Sequence, residues 1–132
     1  MRMSLRDEVA VRRGTKFCCV ESLDRPVVMV RICPWQAKEW VLPWSRFEAS
    51  SFVHEEESER IEFFFSHYQV IAIGKNLRGM LEDICLCHIR CLRDLPETLY
   101  PTFDPTEPFI AQLEVRRWLI RRTALRWAFP SD

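Results

Sequence analysis

Runs of β-branched and apolar residues, punctuated by proline, glycine and charge, divide the first half of the chain into strand-sized pieces. Phe17-Cys18-Cys19-Val20 and Val27-Val28-Met29-Val30-Arg31-Ile32 flank the turn-forming stretch Glu21-Ser22-Leu23-Asp24-Arg25-Pro26, which predicts a hairpin. Pro34 closes the second run. Trp40-Val41-Leu42 reads as a third short strand that Pro43, lacking a backbone N–H, truncates or confines to a sheet edge. Residues 48–60, with Glu55, Glu56, Glu57 and Glu59, are too acidic for a core and read as an exposed loop. Arg60-Ile61-Glu62-Phe63-Phe64-Phe65 and Gln69-Val70-Ile71-Ala72-Ile73 then predict two strands joined tightly around Ser66-His67-Tyr68.

Beyond Gly74-Lys75-Asn76 the apolar spacing lengthens to that of a helix, with Asn76 placed as its N-cap. On a helical wheel, residues 77–95 put Leu77, Met80, Leu81, Ile84, Cys85, Cys87, His88, Cys91, Leu92 and Leu95 on one broad stripe. Arg78, Glu82, Asp83, Arg90, Arg93 and Asp94 take the other side, and Pro96 ends the segment. Residues 96–108 hold four prolines and read as a spacer. The terminal element, 109–128, carries two signals. Asp104-Pro105-Thr106-Glu107 resembles a capped helix start, while Phe109, Ala111, Leu113 and Val115 alternate as in a strand; helix is preferred.

These elements predict an α+β chain, an antiparallel sheet of about five strands covered by the amphipathic helix 77–95, with barrel-like closure and a C-terminal helix or strand. The 132 residues, 48% of them hydrophobic, suffice for one domain over 1–132, with 1–14 as a polar lead-in. Lys plus Arg and Asp plus Glu both number 19, so no global field draws the chain to nucleic acid or an anionic membrane. MRMSLRDEVAVRR lacks the apolar region of a secretory signal, and no apolar run has transmembrane length, which places the chain in the cytoplasm with its six cysteines reduced.

Candidate chemistry is sparse. Cys87, His88 and Cys91 share a helical face and bear zinc-type ligands, but no CxxC knuckle or HExxH element accompanies them; Cys18, Cys19, Cys33, His54 or His67 would have to complete a site. As the stripe includes Leu81, Ile84 and Leu95, the favoured reading buries Cys85, Cys87, His88 and Cys91 in the core, without metal. Five arginines interleave with apolar residues in Arg116-Arg117-Trp118-Leu119-Ile120-Arg121-Arg122-Thr123-Ala124-Leu125-Arg126-Trp127. They spread around the wheel, so docking on the chain's own acidic 55–62 stretch is preferred to a nucleic-acid arm. The Glu55–Glu59 run, with His54 before it, lacks EF-hand spacing. GxGxxG, P-loop and GxSxG patterns are absent, and there are only three glycines, which argues against a phosphate-cradling loop or a glycine-rich lid.

The expected function is therefore a non-catalytic protein-interaction or self-association module, with no catalytic residue and no cofactor. Its partner would be another protein or a second copy, met through Trp35, Trp40 and Trp44 or through Arg116, Arg117, Trp118, Arg121, Arg122, Arg126 and Trp127. The alternatives are a metal-binding protein or enzyme built on the Cys/His helix, or nucleic-acid binding through the Arg-rich end.

Overall fold

The computed structural model describes residues 18–117. Its architecture is mostly β. Eight strands form two sheets of four, with orders β1-β7-β2-β3 and β4-β5-β6-β8. In chain order they are β1 (Val20–Ser22), β2 (Met29–Cys33), β3 (Trp40–Pro43), β4 (Phe47–His54), β5 (Glu59–Phe65), β6 (Tyr68–Lys75), β7 (Ile89–Arg93) and β8 (Phe109–Arg117). One short helix, α1 (Met80–Cys85), and 3-10 turns at Trp44–Arg46 and Glu97–Thr102 complete the described elements.

Alternation builds the core. In β2, Val30 and Ile32 point inward while Met29 and Arg31 face out. In β5, Ile61, Phe63 and Phe65 do the same. These side chains join Leu42, Leu92, Val70, Ala72, Ile110 and Leu113 in one cluster drawn from both sheets. Trp44 marks the corner where the chain leaves the first sheet for the second. Its ring lies 5.2 Å from Phe47 and 5.8 Å from Phe65, and its indole N–H donates to the Ile89 carbonyl at 2.9 Å. The hydrogen bond removes the penalty of burying that polar group.

The expected sheet covered by a 77–95 helix, with barrel-like closure, is overturned: the described residues form two sheets and no closed barrel. The helix is only Met80–Cys85 and ends in a Schellman motif. His88 N–H donates to the Asp83 carbonyl at 2.9 Å, Cys87 N–H donates to the Ile84 carbonyl at 3.0 Å, and Cys87 adopts φ 57°. The remainder of the supposed apolar stripe is β7. That strand lies between β1, its antiparallel partner, and β2, its parallel one, so the expected β1–β2 hairpin does not form. A bulge at Arg90 lets both Ile89 and Leu92 reach the core, which imitates helical spacing in the sequence.

Of the terminal element 109–128, for which helix was preferred, the described part is likewise a strand, β8, paired antiparallel with β6. Of residues 48–60, expected as an exposed loop, 48–54 belong to β4 at the edge of the second sheet and Glu59 and Arg60 to β5, so only 55–58 remain loop. Asn76 is not the N-cap: it has φ 58° and its amide donates to the Pro105 carbonyl, while Glu59 accepts the Leu77 N–H at 2.6 Å. The β5–β6 hairpin forms around Ser66 and His67, and β3 with Pro43 is an edge strand.

Candidate functional site

The acidic loop 55–58 hangs at the β4–β5 turn, tied by Glu55 N–H to the Ser58 carbonyl at 2.8 Å and by the Lys75 ammonium to the Glu57 carbonyl. Opposite it stands the 3-10 turn 97–102, fixed by Tyr100 and Phe103 packing on Phe109. Between them is a groove of about 790 Å³ bordered by Ile73, Ala111 and Gln112 of β6 and β8, with Glu56, Glu57, Glu97 and Tyr100 also lining it. A smaller hollow of about 150 Å³, reaching His54, Glu55 and Asn76, shares Glu56, Glu57, Ser58 and Lys75 with it.

The carboxylates here are not equivalent. Glu59 is engaged twice, by the Leu77 N–H and by His54 Nδ1 at 3.2 Å. Glu56, Glu57 and Glu97 are exposed, and among the described residues no cation pairs with their side chains. The groove therefore offers negative charge around a partly apolar floor, with Lys75 held against the loop backbone.

Charge is segregated along the chain. Of its 19 Lys and Arg, 11 fall within 18–117, against 16 of its 19 Asp and Glu, leaving 8 basic and 3 acidic residues for the two flanks. The net zero of the whole thus conceals an acidic stretch over 18–117 and basic flanks.

The aromatic residues expected to form an exposed patch have other surroundings. Trp44 is buried at the corner between the sheets. Trp40, half-buried, packs on Tyr68 at 5.0 Å with the Lys38 ammonium 4.5 Å from its ring centroid. Trp35 is half-buried, its indole N–H buried without a hydrogen-bond partner among the described residues. The exposed apolar residues nearby are instead Val28, Met29 and Val41, on the β2–β3 side of the first sheet.

Arg116 is exposed and bound to Glu114 at 2.7 and 3.3 Å, which lowers the Glu114 carboxyl and raises the Arg116 guanidinium relative to their ordinary values. Arg117 is exposed at the end of β8. Trp118, Arg121, Arg122, Arg126 and Trp127 lie outside the described residues.

Cys87, His88 and Cys91 do not share a helix face, since Cys87 terminates α1, His88 links it to β7, and Cys91 lies on that strand's outer side. Cys85, expected in the core, is exposed, and Cys87 and His88 are half-buried. Cys91 is buried, but beside Cys33 of β2, with the sulfurs 3.9 Å apart. None of the six cysteines is in a disulfide. Among the described residues, no group of three or more His, Cys, Asp or Glu is placed to hold a metal ion, and no helix is long and apolar enough to cross a membrane.

Sequence reasoning missed both the groove and the Cys33–Cys91 pair. Glu97 and Glu57 are 40 positions apart, and no local spacing signals either arrangement. No family model, curated protein or solved structure matches the chain.

Proposed function

We propose that this protein is a non-catalytic interaction module that self-associates, the acidic groove of one copy taking a basic segment of another. The observation that carries this reading is the groove itself: Glu56, Glu57 and Glu97, with which no cation among the described residues pairs, around Ile73, Ala111 and Tyr100. Carboxylates beside an aromatic ring and an apolar floor suit Arg or Lys interleaved with apolar residues, since the cations find countercharge while their neighbours bury surface. The Arg-rich stretch 116–126 has that composition. Charge segregation supports a protein partner over nucleic acid, because the acidic stretch 18–117 repels phosphate.

A groove of this size accommodates a short segment, well below a standard protein interface, so the contact is weak and salt-sensitive. Titration of a synthetic peptide with the sequence of residues 116–127 into the full chain, followed by amide NMR, is the direct test. Shifts concentrated at 56–58, 73–75, 97–101 and 111–112, and suppressed by salt, support the groove. Shifts confined elsewhere, or none, contradict it.

A further inference from the structure

Parallel pairing of β2 with β7 sets Arg31 opposite Cys91 and Cys33 opposite Arg93, so all four residues share the outer face of the first sheet. The face is nevertheless closed over the two thiols: Cys33 is 8% exposed and Cys91 4%. Their sulfurs stand 3.9 Å apart, and the Arg93 guanidinium lies 3.5 Å from the Cys91 sulfur. Other charges around Cys91 are already engaged. Glu21, opposite it on β1, accepts from Arg90 at 3.1 Å, and Arg31, opposite it on β2, pairs with Glu39 at 3.3 Å.

We propose that Cys91 and Cys33 form a peroxide-responsive thiol pair, with Cys91 the attacking sulfur and Cys33 the resolving one. The Cys91 thiolate attacks one oxygen of hydrogen peroxide. An S–O bond forms, the O–O bond breaks, and the departing hydroxide takes a proton to become water. The sulfur, oxidised by two electrons, is now a sulfenic acid. Cys33, deprotonated, attacks that sulfur; the S–S bond forms, the S–O bond breaks, and the second hydroxide leaves as water. The balance is two thiols and one peroxide to one disulfide and two waters.

The assignment of roles follows from the surroundings. The hydrogen bond from Cys33, and after it that from Arg93, hold the Cys91 thiol below its ordinary value against the opposing effect of burial. Cys19 makes the contrast: buried against the Ile110 carbonyl without such donors, its thiol is pushed up to about 12. Cys18, half-buried, is also raised by desolvation. Peroxide is small enough to approach a sulfur from which bulkier disulfide reagents are excluded.

Bridging carries a structural consequence. The two cysteines are offset by two residues on adjacent strands, so their Cα atoms are about 8 Å apart, beyond the unstrained disulfide range. The bond therefore requires β2 and β7 to shift, which makes it readily reducible and suited to reversible control.

The test is peroxide treatment of the folded full chain at pH 7, with timed alkylation and peptide mapping. Cys91 is expected to be consumed before exposed Cys85, despite its burial, because the Cys33 thiol and the Arg93 guanidinium stabilise its thiolate. A Cys33–Cys91 linked peptide should accumulate, vanish with dithiothreitol, and accompany a lowered Tm. In Cys33→Ser, denaturation in dimedone after the peroxide treatment should trap a sulfenic acid on Cys91. Wild-type mapping decides the matter even if that variant fails to fold. Oxidation at Cys85 or Cys18 with Cys91 intact overturns the proposal, as does a Cys91 bridged to another cysteine.

Discussion

The Asp94 carboxylate accepts the backbone N–H of Trp35 at 2.5 Å, and its second oxygen accepts the Leu113 N–H at 3.0 Å. One side chain thereby ties the turn after β2, in the first sheet, to β8, in the second. It is the buried charged residue among those described. Asp94→Ala leaves two backbone donors without their acceptor and should cost about 2–4 kcal/mol in urea unfolding.

The same residue makes a pH prediction. Burial raises the Asp94 carboxyl above its ordinary value, against the lowering effect of the Trp35 and Leu113 N–H groups. The folded state thus binds this proton more tightly than the unfolded state. Its contribution is greatest below the unfolded pKa, about 4, and is lost as pH rises through the raised value. The stability advantage of wild type over Asp94→Asn should therefore shrink as pH rises above about 4. An advantage that grows over that range shows that the N–H bonds outweigh desolvation.

Cys87 sits at φ 57° as the left-handed residue closing the α1 Schellman motif, a position that favours glycine. Cys87→Gly should raise stability by up to about 1 kcal/mol, the relief of backbone strain exceeding the loss of a half-buried side chain. A lowered urea midpoint indicates that the thiol's packing on the core matters more.

Gly74 and Gly79 separate steric need from circumstance. A Cβ on Gly74 meets the Phe109 carbonyl oxygen at 1.8 Å, where β6 and β8 close on each other beside a bulge. Backbone cannot retreat as a side-chain tip can, so Gly74→Ala should cost more than about 3 kcal/mol or prevent folding. At Gly79, with φ −61° and nothing within 4 Å of the added atom, alanine should be neutral or stabilise by up to about 1 kcal/mol. Thermal unfolding of the two variants side by side reads the difference.

The contrast between β5 and β7 explains what was legible in the sequence. Ile61, Phe63 and Phe65 alternate, and their partners follow across a two-residue turn, so local pattern and pairing agree. In β7 the bulge at Arg90 breaks the alternation, and both partner strands lie far upstream. The strand β4 was hidden by Glu48, Ser50 and Ser51, polar residues that an edge strand tolerates on its accessible positions. Of the candidate site, the excess of glutamates was readable. Their placement across from Glu97, and the meeting of Cys33 with Cys91, depend on long-range packing that no spacing encodes.

Self-association through charge is tested most directly by light scattering of the full chain against ionic strength, for wild type and for the combined Glu56→Gln, Glu57→Gln and Glu97→Gln variant. All three residues are exposed, so the substitutions leave the core untouched. At low salt and a concentration of about 100 μM the wild type should exceed monomer mass, falling to monomer by about 0.5 M salt as screening sets in. The triple variant should remain monomeric throughout. A wild type that is monomeric at every salt concentration, or a variant that assembles equally well, contradicts the account.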